Sequence, residues 1–389
     1  MIYTPTLALP RRGGGEKRIP ASLVGEVGSR SPFLPAEEAP SCFPSPLAGE
    51  GQGAGEKRRR SRSRGPKSRS GLVLILLATV FSAAEVSAQA IVRPAAVLKG
   101  HEGWVNAVVV SPEYVASGGL DGVVRIHSVK TGAAAFSWTL PKGPDGSPFV
   151  IYALSFSPGG RHLAVASSDG KVRIVEPLSG REVVVIDDPS RHPYKAAYFP
   201  DGRSLAVGGI DGYIRLYRME DGKKVGEVKA HADAIQAMAV SANGKTVVTG
   251  GPDTLVQVFH RFGDELQHAH RLIGHKDTVT AVAFGPEPGE IVAGDKDGKV
   301  KRWNLALGTG GERPFAAQPG KPVGAVAAMK GKVAVSYGLG DIRLYTGSRE
   351  TRALKGHAQP VGALGFSPDG RVLVSGGRDG NVMVWKVGR

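Results

Sequence analysis

The chain has 389 residues, with 55 glycines, 27 prolines, one cysteine and a formal net charge of +15. Glycine at this level without a Gly-X-Y period excludes collagen and signals many tight turns. The one cysteine, Cys42, lies outside the patterned region, which excludes a disulfide, a thiolate metal site or a c-type haem attachment there.

The charge divides unevenly. Residues 1–90 carry 13 Lys/Arg against 7 Asp/Glu, and residues 91–389 carry 37 against 28. In the second part the bases are spread rather than striped, so no nucleic-acid surface is expected. Residues 1–56 lack apolar periodicity and are rich in Gly, Pro, Glu and Arg, which predicts a disordered extension. Translation is expected to begin downstream of most of it. From Lys57 to Arg69 there are eight basic residues and no acid. Gly71–Ala84 is an unbroken run of apolar or small residues, and Ala88-Gln89-Ala90 follows. This order predicts a signal peptide over 57–90, cut after Ala90. The run is shorter than the roughly 20 residues that span a bilayer. A periplasmic or secreted location is therefore expected, the alternative being an inner-membrane anchor through an uncleaved segment.

Periodicity dominates residues 91–389. Seven segments end in an Asp-type turn and a short alternating strand, whose last residues are His127, Val175, Tyr217, Phe259, Trp303, Tyr345 and Trp385. Each unit holds an alternating strand such as Val105–Val110 and a turn such as Ser157-Pro158-Gly159-Gly160. A second apolar strand, an Asp turn, a third strand such as Val172-Arg173-Ile174, and a weaker fourth strand such as Lys223–Lys229 complete it. A period of about 40–45 residues with four short strands predicts an all-β fold, a single seven-bladed β-propeller of four-stranded blades. The chain ends just after the third strand of the last unit. Pro94–Lys99 is therefore expected to supply the missing outer strand and close the ring.

Gly-His pairs open units at Gly100-His101, Gly274-His275 and Gly356-His357, with Ala230-His231 as a variant, and a strand-ending Trp stands at Trp303 and Trp385. These features resemble the WD40 repeat family across all seven units. The resemblance implies that His357, Ser375, Asp379 and Trp385 form a structural tetrad, although Ser, His and Asp together also suggest a hydrolase triad. The set recurs as His101–Ser117–Asp121 and His231–Thr249–Asp253, and repetition favours structure over catalysis. A fourth set, His275, Asp297 and Trp303, lacks the hydroxyl because Ala293 stands there. The unit ending at Tyr345 has Leu339 where the Asp is expected and no Gly-His, so it is expected to be the loosest blade. His260, His268 and His270 are read as a solvated outer hairpin rather than a metal site. No metal or cofactor is expected.

The resemblance also implies that partners dock where the Asp turns and the segments after Gly-His emerge. The residues expected there before each first strand are Trp104, Val150, His192, Ala234, Thr278, Pro322 and Pro360. Those before the turn Asp are Leu120, Ser168, Ile210, Pro252, Lys296, Gly338 and Arg378. Trp104, Leu120, Phe149, Val150 and Ile210 make an expected apolar arc over the first three blades, and Lys276, Lys296 and Arg378 a basic side. The expected function is a non-catalytic, monomeric scaffold for protein partners. The alternative is an enzyme or cofactor-binding propeller working at the channel mouth, which would need one unrepeated polar cluster.

Overall fold

The turn glycines explain how the strands stack. In the last Asp turn Gly380 has φ +72°, a conformation glycine adopts without a Cβ penalty. A Cβ there would also lie 2.8 Å from the carbonyl of His101, so the turn packs directly on the entry to the first unit. A second notch lies inside the sheets. A Cβ at Gly376 would lie 2.7 Å from Val105, and one at Gly118 would lie 2.8 Å from Ile151. The first residue of one innermost strand thus plugs the glycine gap of the preceding sheet, at Ser117-Gly118-Gly119 and at Ser375-Gly376-Gly377.

The structure is a computed structural model describing residues 90–305, 313–329 and 331–388. The expectations for residues 1–89, including the extension and signal peptide, lie outside the described residues. The described residues form seven antiparallel blades. Blade 1 runs Val105–Val110, Tyr114–Gly119, Val123–Ser128 and Ala134–Thr139, and blades 2 to 5 repeat this order. Innermost strands of adjacent blades touch around the ring, including Val361–Phe366 of blade 7 against Val105–Val110 of blade 1. Buried cores lie between the blades: Val105 and Val108 pack with Ala363, Val374 and Val382 across the seam between blades 7 and 1.

Closure follows the expectation. Ala96–Leu98 pairs antiparallel with Val382–Val384 as the fourth strand of blade 7. An unexpected strand precedes it. Ala90–Val92 pairs in parallel with Arg352–Leu354, giving blade 6 a fifth strand. One short segment therefore clasps two blades.

Blade 6, the blade expected to be loosest, ties its turn in another way. It has all four of its own strands, and Asp341 substitutes for the missing turn carboxylate at Leu339. Asp341 accepts from Arg343 at 2.8 and 3.0 Å and from Lys355 Nζ at 2.7 Å, while Arg343 also reaches Glu350 at 2.6 Å. A fixed charge network replaces the histidine network. Leu339 itself is left exposed at the tip of the turn.

Candidate functional site: the turn face and the channel

The histidine sets are assembled from the entry segment and second strand of a blade together with its Asp turn. In blade 7, Trp385 Nε1 donates to Ser375 Oγ at 2.8 Å. Ser375 Oγ donates to His357 Nε2 at 2.7 Å, and His357 Nδ1 donates to Asp379 at 3.0 Å. In blade 1 the corresponding distances are 2.8 Å for Ser117–His101 and 2.9 Å for His101–Asp121. In blade 4 Thr249–His231 and His231–Asp253 are both 2.9 Å.

Burial lowers the pKa of His231 and His357, outweighing the attraction of Asp253 and Asp379. For Asp121 and Asp379 burial pushes upward. Their histidine and backbone hydrogen bonds outweigh it and hold both carboxyls below the usual range. In blade 7 burial thus favours the neutral imidazole and the histidine favours the ionised carboxylate, in a set closed on both sides by hydrogen bonds. Such an arrangement ties a turn to a strand.

Blade 5 corrects the expectation for Asp297. His275 Nδ1 donates to Asp295 at 2.7 Å, with both side chains wholly buried. Asp297 instead pairs with Lys299 at 2.5 Å at the half-exposed turn. The reason is positional. Asp295 lies opposite Val279, as Gly377 lies opposite Val361 in blade 7. A Cβ at Gly377 would run into the His357 ring, so a side chain at this position is aimed at the histidine. Trp303 is buried, its ring 5.5 Å from that of His275.

Blades 2, 3 and 6 lack the Gly-His, and an arginine of the third strand takes over. Arg173 donates to Asp169 at 2.5 Å and to Ser167 at 3.1 Å. Arg215 donates to Asp211 at 2.5 and 3.1 Å, and Arg343 does the same for Asp341. The missing Gly-His is the available sequence signal of this exchange, since the apolar–Arg–apolar third strand also occurs in blade 1 beside a histidine set. Nothing in its spacing says which partner the arginine meets. In the outer hairpin of blade 4, His268 bonds Gln257 at 2.8 Å, while His260 and His270 lie edge to face at 6.1 Å.

The two sets of turn-face positions bond to each other. Leu120 N donates to Trp104 O at 2.9 Å, Ser168 N to Val150 O at 2.9 Å, and Ile210 N to His192 O at 3.1 Å. Lys296–Thr278, Gly338–Pro322 and Arg378–Pro360 repeat this at 3.0, 2.9 and 2.8 Å. In blade 4 the donor position is Pro252, which has no N–H. These residues therefore share one face.

Trp104 is 40% exposed on this face, and the Arg378 guanidinium lies over its ring at 3.9 Å. The separate apolar arc and basic side of the sequence reading thus meet at this pair. Leu120, Phe149, Val150 and Ile210 are half-buried, and Lys276, Lys296 and Arg378 are exposed. Sequence reasoning missed an aromatic cluster at the channel mouth. Tyr152 and Tyr194 meet edge to face at 4.8 Å, with His192 at 6.5 Å from each. Burial and the neighbouring Tyr194 push the Tyr152 phenol up to about 12, so it keeps its proton.

Comparison with known proteins agrees with this geometry. The family profile described as WD domain, G-beta repeat matches residues 92–128, 138–176, 266–304 and 348–386. That described as Anaphase-promoting complex subunit 4 WD40 domain matches residues 194–243, and together they cover just over half of the chain. The chain belongs to the WD40 repeat family. Among WD40 relatives, WD repeat-containing protein 90 of Homo sapiens is 30% identical over 132 residues, 29% of this chain and 7% of that protein. Small ribosomal subunit protein RACK1 of Medicago sativa is 36% identical over 89 residues, 22% of this chain and 25% of that protein. Striatin-4 of Mus musculus is 27% identical over 139 residues, 29% of this chain and 18% of that protein. The matched stretches thus span well under two thirds of these relatives' lengths.

Proposed function

We propose that this WD40 propeller is a non-catalytic scaffold that holds protein partners on the turn face around Trp104 and Arg378. The observation that carries the reading is the exposed indole of Trp104, braced by a guanidinium and bordered by half-buried aliphatics. Aromatic and arginine anchors of this kind dominate interface energetics. A rigid scaffold with loops gathered at one end suits such a role. The histidine sets recur around the ring, as structural ties do, whereas catalysis uses one site. A relative named as a ribosomal subunit is, by that name, part of a larger assembly, which supports a role in holding proteins together. The basic run, apolar run and Ala-Gln-Ala order before residue 91 support export to the periplasm or the outside, with a monomeric propeller there.

The test is affinity purification with crosslinking, comparing the wild-type chain with Trp104→Ala and Arg378→Glu. Both variants should stay folded, melting no more than about 4 °C below the wild type, and lose the captured partner. If capture falls only in proportion to stability, Trp104 is a packing residue and the reading fails.

A further inference from the structure

The central channel breaks the ring's symmetry at one residue. Six innermost strands carry a bulge after their first residue, and pairing resumes at the next position. That position, and its equivalent in blade 4, is alanine in six blades: Ala107, Ala153, Ala237, Ala281, Ala325 and Ala363. In blade 3 it is Lys195, opposite Gly208. All seven line the channel, a cavity of about 220 Å³.

Lys195 is the one charged residue among the described residues lining this channel. Burial pushes its ammonium pKa down, with no carboxylate opposing. The polar residues beside it fall into two groups. Asn106 of blade 1 and Thr280 of blade 5 are committed to neighbouring strands, donating to Ile151 O at 3.1 Å and Val323 O at 2.6 Å. Blades 6 and 7 place Gly324 and Gly362 at the same level. Tyr152, Lys195 and Gln236, from the consecutive blades 2, 3 and 4, also line the channel. A cation and two side chains with polar hydrogens are thus gathered on one side of an otherwise small-residue ring. A half-buried ammonium that meets no carboxylate in the channel favours an anion that enters it.

We propose that the channel is a binding site for a small carboxylate anion, held by Lys195 and flanked by Tyr152 and Gln236. Its volume, about seven waters' worth at roughly 30 Å³ each, suits an acid of a few carbons. The proposal does not rest on the scaffold reading.

The test is calorimetric titration of the full chain with succinate at constant ionic strength. The wild type should bind saturably. Lys195→Ala, which completes the alanine ring, should fold and bind about tenfold or more weakly. Gln236→Leu should weaken binding less, and Trp104→Ala should leave it unchanged. As a second readout free of variants, the Lys195 side-chain carbon resonance should shift saturably with succinate. Absence of saturable binding by the wild type, absence of that shift, or a Lys195→Ala protein that binds as tightly as wild type would overturn the proposal.

Discussion

The Arg378 guanidinium lies 3.9 Å from the centroid of the Trp104 ring, joining blade 7 to blade 1 at the seam where the propeller closes. The pair is exposed, so its contribution should be modest, about 0.5–1 kcal/mol. A double-mutant cycle with Trp104→Ala and Arg378→Ala, read by urea unfolding, should return a coupling in that range. A coupling indistinguishable from zero would mean that the stack does not persist in solution.

Closure depends on a short segment. Leu98 is buried among residues of blades 7 and 1, and Ala90–Val92 extends the clasp to blade 6. Replacing Leu98 by Ala should cost about 2–5 kcal/mol. Deleting residues 90–99 should cost more, lowering the melting temperature of the whole ring. Unchanged thermal unfolding of the deletion would show that closure does not depend on these strands.

Blade 5 offers a comparison of two carboxylates two residues apart. Asp295→Asn replaces the buried carboxylate bonded to His275 by an amide and should destabilise by about 1.5–3 kcal/mol. Asp297→Asn, at the half-exposed turn, should change stability by less than about 0.5 kcal/mol. Chemical denaturation of the two variants side by side checks the assignment.

Acid should weaken the fold in two stages. His231 and His357 have folded pKa values below their ordinary 6.5. The unfolded chain therefore takes up protons near 6.5 that the folded chain refuses. Stability is full above that pH and falls as pH drops below it. Asp121 and Asp379, held below their ordinary 3.8, add a second loss with the same sign as pH falls through that value. Melting temperatures should be level from pH 8 to 7 and decline below about 6.5. Replacing His231 by Gln should flatten part of the first decline.

What the sequence revealed divides along a physical line. The blade count and closure were legible because period-2 strands and turn glycines repeat locally and leave the last unit one strand short. The sets at His101, His231 and His357 were legible because Gly-His and the turn Asp recur at similar offsets. The exchange of Asp297 for Asp295 was not read, although Asp in the position of a glycine was the available signal. What decides it is which side chain faces the imidazole across the strand pair. The arginine substitutions in blades 2, 3 and 6 escaped for the same reason. The Tyr152–Tyr194 contact depends on bulges that turn adjacent inner strands together, and no local spacing encodes that meeting. The parallel strand at Ala90–Val92 is too short to carry a pattern.

The central claim is that partners are held on the turn face, and its location can be measured directly. A photoreactive amino acid placed at Leu339, exposed on the blade 6 turn, should crosslink the captured partner, as should one at Arg378. The same probe at Val183, exposed on the outer strand of blade 2, should not. Crosslinking from Val183 as strong as from the turn face, with none from Leu339 or Arg378, would contradict the account.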